Sequence, residues 1–81
     1  MPAKGQHALR YRPMPKLLRR LREESGLTQR ELAAKLRQTH VWVHKSETLE
    51  RRVDITEFIE WCIACGVEPT TAFRELLKAR T

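Results

Sequence analysis

The sequence predicts an all-α domain of five helices, on three observations. Apolar residues recur at three- and four-residue spacing in five separate stretches, with no strand signal between them. Thr28, Thr39 and Asp54 each stand where a side-chain oxygen can cap the helix that follows. Gly26 and Gly66 stand where a helix should stop, and Pro13, Pro15 and Pro69 where one should begin.

Residues 1–12, MPAKGQHALRYR, have no apolar period and carry Lys4, Arg10 and Arg12. They read as an extended basic arm ahead of a single domain spanning residues 13–81. Such an arm can follow a DNA backbone or enter a minor groove, or it can make no contact at all; both readings stay open. The first helix opens on its prolines and takes Met14, Leu17, Leu18 and Leu21 as its apolar face. Arg19, Arg20 and Arg22 are expected to face outward, with Glu23 and Glu24 behind them.

The second helix starts at a capping box, Thr28 with Glu31, and carries Leu32, Ala33 and Leu36 on one stripe. Arg37-Gln38 breaks the period, and Thr39 caps a third helix that begins at His40. Asp54 and Glu57 repeat the capping box ahead of the fourth helix. There Ile55, Phe58, Ile59, Cys62 and Ile63 form the strongest helical period in the chain and are expected to carry the core. The fifth helix opens at Pro69 and offers Ala72, Phe73, Leu76 and Leu77.

The second and third helices, joined by so short a turn, form a helix-turn-helix. The residues around them resemble the phage repressor and Cro-like (Xre) family. The resemblance rests on Leu18-Arg19, Leu21 to Glu24, Gly26 to Gln29, Glu31 to Ala33 and Leu36, then on Val43, Lys45, Glu47 and Thr48. It continues through Glu50 to Arg52, Asp54, Glu57-Phe58, Trp61-Cys62, Cys65 to Val67 and Pro69, and covers residues 14 to 77. It implies a lambda-repressor-like helix-turn-helix fold, a core-facing Val43, and Gln29 at a DNA phosphate. Three positions depart from the family pattern. Arg37 stands where a turn glycine is usual, Leu49 where glycine commonly follows the second motif helix, and His40 where glutamine is common. A left-handed backbone at Arg37 would cost on the order of 1 kcal/mol.

The charge distribution agrees with a nucleic-acid partner. The net charge is +6 and the sequence pI about 10. Residues 1–52 carry 13 basic and 5 acidic side chains, a balance of +8, while residues 53–81 carry 3 and 5, a balance of −2. The basic half is the half that holds the helix-turn-helix. In that motif a recognition helix enters the major groove by its N-terminal end. His40, Val41, His44 and Lys45 share its outward surface there: the imidazoles and the ammonium can donate to guanine, and Val41 can pack on a thymine methyl. Thr28, Gln29, Arg30, Arg37, Thr39, Arg51 and Arg52 are the candidate backbone contacts, a solvated surface role being the other reading of each arginine. Trp42 is read as half-buried packing rather than as a wedge against a sugar or base.

The expected function is sequence-specific binding of double-stranded DNA by a transcriptional regulator, a repressor that occupies a palindromic operator as a homodimer. Phe73, Leu76 and Leu77 are the candidate dimer surface, with packing inside the monomer as their other reading. The alternative function is an antitoxin that binds a toxin protein through the acidic fourth and fifth helices and autoregulates through its basic half. No apolar run approaches the roughly 18 residues that span a bilayer, and the N-terminus lacks the apolar core of a signal peptide, so a cytoplasmic protein without a membrane partner is expected. Neither an enzyme nor a cofactor site is expected. His40 and His44 have metal-ligand spacing, but the glutamate that follows the first histidine in zinc hydrolases is absent. Cys62 and Cys65 approach a helix C-terminus, where the dipole opposes thiolate, and read as core residues rather than a redox pair.

Overall fold

The structure, a computed structural model, describes residues 9–80. Its helices are α1 (Pro13–Glu24), α2 (Gln29–Leu36), α3 (His40–Ser46), α4 (Ile55–Ala64) and α5 (Pro69–Arg80). No strand occurs among the described residues.

The helix starts follow from side-chain chemistry. Thr28 Oγ1 accepts from the Glu31 N–H at 3.1 Å while the Glu31 carboxylate accepts from the Thr28 N–H at 2.8 Å. Asp54 and Glu57 make the same reciprocal pair at the head of α4, at 2.8 and 3.0 Å. Thr39 Oγ1 accepts from the Trp42 N–H at 3.0 Å and opens α3. Each contact satisfies amides that a helix start leaves without partners. At the ends, Gly26 and Gly66 take φ of 78° and 72°, as a left-handed terminator requires. Arg37 closes α2 at φ 56°, and Leu49 sits at φ 71° in the loop after α3. Both take the left-handed backbone that favours glycine, at a cost of roughly 1 kcal/mol or more each.

Helix α2 packs on α3 and α4, while α5 packs on α1 and α4. The centre is filled by Leu18 of α1, Leu32 of α2, Val43 of α3, Phe58, Trp61 and Cys62 of α4, and Ala72 of α5. Trp61 is fully buried, and its indole N–H donates to the Leu18 carbonyl at 3.0 Å, so no polar atom is stranded by its burial.

Four expectations are corrected. The core face of α4 is Phe58, Trp61 and Cys62, extended by Cys65 just past its end; Ile55, Ile59 and Ile63 lie on a flank and are 62%, 40% and 65% exposed. Two overlapping stripes with helical spacing compete on this helix, and the one holding the two large aromatics is buried. Arg22 does not face outward but is buried. Leu76 is core, whereas Phe73 and Leu77 are exposed, which leaves only the latter two of the candidate dimer surface open to solvent. Of the arm expected over residues 1–12, residues 1–8 lie outside the described residues, and residues 9–11 are helical rather than extended. Tyr11 there accepts a hydrogen bond from the Val53 N–H at 2.7 Å.

Candidate nucleic-acid interface

Helix α3 is held by its inner side and presents its outer side. Val43 is fully buried, and Ser46, also fully buried, donates through Oγ to the Trp42 carbonyl at 2.8 Å. His40, Val41, His44 and Lys45 are all exposed on the same short helix. An α-helix with its side chains is about 10 to 12 Å across, which a major groove about 12 Å wide admits.

The orientation of α3 is set by a polar cluster that periodicity alone does not reveal. Arg22 of α1 donates through Nε to Glu47 at 2.7 Å and through Nη2 to the other carboxylate oxygen at 3.0 Å. Its Nη1 donates to the Leu27 carbonyl at 2.9 Å. Glu47 follows α3 directly, so this two-pronged pair fastens the end of α3 to α1. The hydrogen bonds it donates to Glu47 hold the Arg22 guanidinium still more firmly protonated, against the opposing effect of burial. Gln29, the first residue of α2, donates to the same carboxylate at 3.0 Å and lies 3.5 Å from His44 Nδ1. One carboxylate thus positions α1, the head of α2 and the end of α3 together. The sequence did contain a signal: Arg22 is four residues beyond Leu18, on the buried stripe of α1.

The candidate backbone residues divide into two groups. Arg30 and Arg37 are exposed, as are Thr28 and Thr39, whose hydroxyls serve as helix caps. Arg51 is committed internally. Its guanidinium makes two bonds to Glu57, at 3.2 and 2.7 Å, reaches Ser46 Oγ at 3.4 Å, and lies 4.2 Å from the centroid of a Trp42 ring. Its charge is therefore largely met within the molecule, and its hydrogen bond keeps the Glu57 carboxyl below the ordinary range. Trp42 is half-buried, 6.1 Å from Trp61 between ring centroids. Arg52 is exposed and lies 4.5 Å from the Tyr11 ring centroid.

Cys62 and Cys65 are buried free thiols. Burial pushes the Cys62 thiol up to about 11, with the neighbouring Cys65 adding to the shift, and burial raises Cys65 as well. Thiols held protonated in this way are poor nucleophiles and poor metal ligands.

A capped two-helix unit with an exposed polar second helix, tied to a helical core, defines the class: a helix-turn-helix DNA-binding regulator. The family described as a helix-turn-helix domain matches residues 16–76. Among solved structures, an XRE-family like protein from Pseudomonas syringae pv. tomato str. DC3000 is similar, with 35% sequence identity, a TM-score of 0.84, and coverage of 99% of this chain and 98% of that one. The chain belongs to the Xre-type helix-turn-helix family. A comparison with curated protein sequences finds no match. No helix among the described residues is long and apolar enough to cross a membrane.

Proposed function

We propose that this protein is a cytoplasmic, sequence-specific transcriptional repressor that occupies a palindromic operator as a homodimer and acts by blocking a promoter. The observation that carries the reading is the exposed face of α3. His40, Val41, His44 and Lys45 offer donors and an apolar surface to base edges, on a helix whose pose is fixed by the Glu47 cluster. Arg30, Arg37 and Arg52 supply positive charge beside it for phosphates, and Gln29 is held at the head of α2, where helix amides favour an anion.

The dimer draws support from what the core leaves uncovered. Ile55, Ile59 and Ile63 on α4 and Phe73 and Leu77 on α5 are all at least 40% exposed. Helix α4 carries Glu57 and Glu60 with no basic residue; α5, expected above to be acidic as well, carries Arg74, Lys78 and Arg80 against Glu75 and is basic. A two-fold contact that lays α4 of one copy along α5 of the other would cover the apolar residues and bring opposite charges together. Sedimentation of the wild type and of Ile59→Glu tests this. A wild-type dimer that the substitution converts to a folded monomer is expected. A monomeric wild type at micromolar concentration would shift the reading to an antitoxin whose toxin covers the same face.

A further inference from the structure

The ends of the described chain meet at a pocket that none of the four residues on the exposed face of α3 lines. Arg10, from the helical residues 9–11, Arg52, from the loop after α3, and Arg80, at the end of α5, line it together with Tyr11, Met14 and Leu76. It measures about 330 Å³, near the lower end of the range for small-ligand sites, roughly 300 to 1,000 Å³. No carboxylate lines it among the described residues. The nearby Glu57 carboxylate is bound on both oxygens by Arg51. Among the described residues, Arg10 and Arg80 make no ion pair.

We propose that this pocket binds a phosphate-class anion between Arg10, Arg52 and Arg80. Three arginines from distant parts of the chain line one pocket, where like charges repel and an anion among them would turn that repulsion into attraction. The planar donors of arginine suit the oxygens of phosphate. The site is also built rather than incidental. The Tyr11 hydroxyl accepts from the Val53 N–H, which keeps its own proton free to donate, and its ring carries the Arg52 guanidinium. Burial raises the Tyr11 pKa against the lowering effects of the Val53 hydrogen bond and of Arg52. Met14 and Leu76 supply an apolar wall beside the arginines. The phosphate can come from a DNA backbone flanking the α3 contacts or from a free phosphorylated small molecule. The pocket's chemistry is the same in both cases; only the first source depends on the DNA-binding reading.

The test uses the full chain and the double variant Arg10→Gln/Arg80→Gln, which alters two exposed side chains and leaves Arg52 in place; its unchanged melting temperature is the folding control. Inorganic phosphate is titrated at constant ionic strength, with chloride as the reference, while the amide resonances of Tyr11, Val53 and Arg80 are followed by nuclear magnetic resonance. Saturable shifts with phosphate, weakened about tenfold or more in the variant, are expected. The same two proteins are then measured on duplex DNA over a range of salt. A backbone source lowers the variant's affinity equally on all duplexes and reduces the salt slope by about 1 to 2. A free-anion source leaves duplex affinity unchanged while phosphate binding is lost. Shifts that chloride reproduces, or that the variant retains in full, combined with unchanged duplex binding, would overturn the proposal. A wild type that binds no duplex counts against the operator reading alone, because the phosphate titration still decides the pocket.

Discussion

Replacing Glu47 by leucine removes the group on which three helices depend. In the native protein the Glu47 side chain is 2% exposed and that of Arg22 10%, so the substitution strands a buried guanidinium with only the Leu27 carbonyl as acceptor. Breaking a buried pair from one side costs about 3 to 5 kcal/mol. A small domain has a total stability of about 5 to 15 kcal/mol and, at this length, belongs near the lower limit. Glu47→Leu should therefore be close to unfolded at 37 °C. In urea, with a slope of about 1 kcal/mol/M for a chain of this size, the midpoint should fall by about 3 M or more. The double substitution Arg22→Met/Glu47→Leu removes the stranded charge, and most of the lost stability should return, because an apolar pair of similar volume can replace a buried ion pair at little cost. Duplex affinity should remain reduced in the double variant, since Gln29 has lost its acceptor on Glu47. The measurement is urea unfolding followed by circular dichroism, with duplex binding by fluorescence anisotropy on the refolded samples. The reasoning is refuted if Glu47→Leu loses less than about 1 kcal/mol, or if the double variant is as unstable as the single one.

Other outcomes follow from the same geometry. Lys45→Ala should weaken binding to a selected site by roughly 1 to 3 kcal/mol while sparing random duplexes, as competition anisotropy can read; an equal loss on both would make it a phosphate contact. Arg37→Gly should raise stability by about 0.5 to 1 kcal/mol, the left-handed strain relieved less the entropy glycine adds to the unfolded chain, and a thermal melt measures it. Because Arg51 holds Glu57 below the ordinary carboxyl range, the stability this pair contributes is present above that range and is lost as pH falls through the lowered value. The difference between wild type and Glu57→Gln should therefore be full at neutral pH and shrink below about pH 4 in unfolding experiments. Neither cysteine should react with iodoacetamide at neutral pH until the protein is unfolded, since burial disfavours both thiolates; rapid native-state labelling would contradict the core assignment.

The parts of the structure that were legible in the sequence are those set by local chemistry. The caps at Thr28, Thr39 and Asp54 and the stops at Gly26 and Gly66 depend on a few adjacent residues, and they define the start of α2 to α4 and the end of α1 and α4. The outward placement of His40, Val41, His44 and Lys45 was legible too, because a buried Val43 determines the opposite side of so short a helix. What depends on tertiary partners was not. Periodicity on α4 allowed two faces, and the choice went to the one where Trp61 finds the Leu18 carbonyl on another helix. Arg22 and Glu47 are 25 residues apart, and each alone resembles an ordinary surface charge; only their meeting explains why both are buried. Arg51 looked like a phosphate contact for the same reason, until Glu57 and Trp42 were found around it.

Selection of binding sites from a random duplex pool at near-physiological salt shows whether the exposed face of α3 reads a two-fold DNA site. Enrichment of one palindrome is expected, with half-sites about one helical turn, roughly 34 Å, apart, and loss of that enrichment in Lys45→Ala. A pool that returns no enriched sequence with the wild-type protein would contradict that reading.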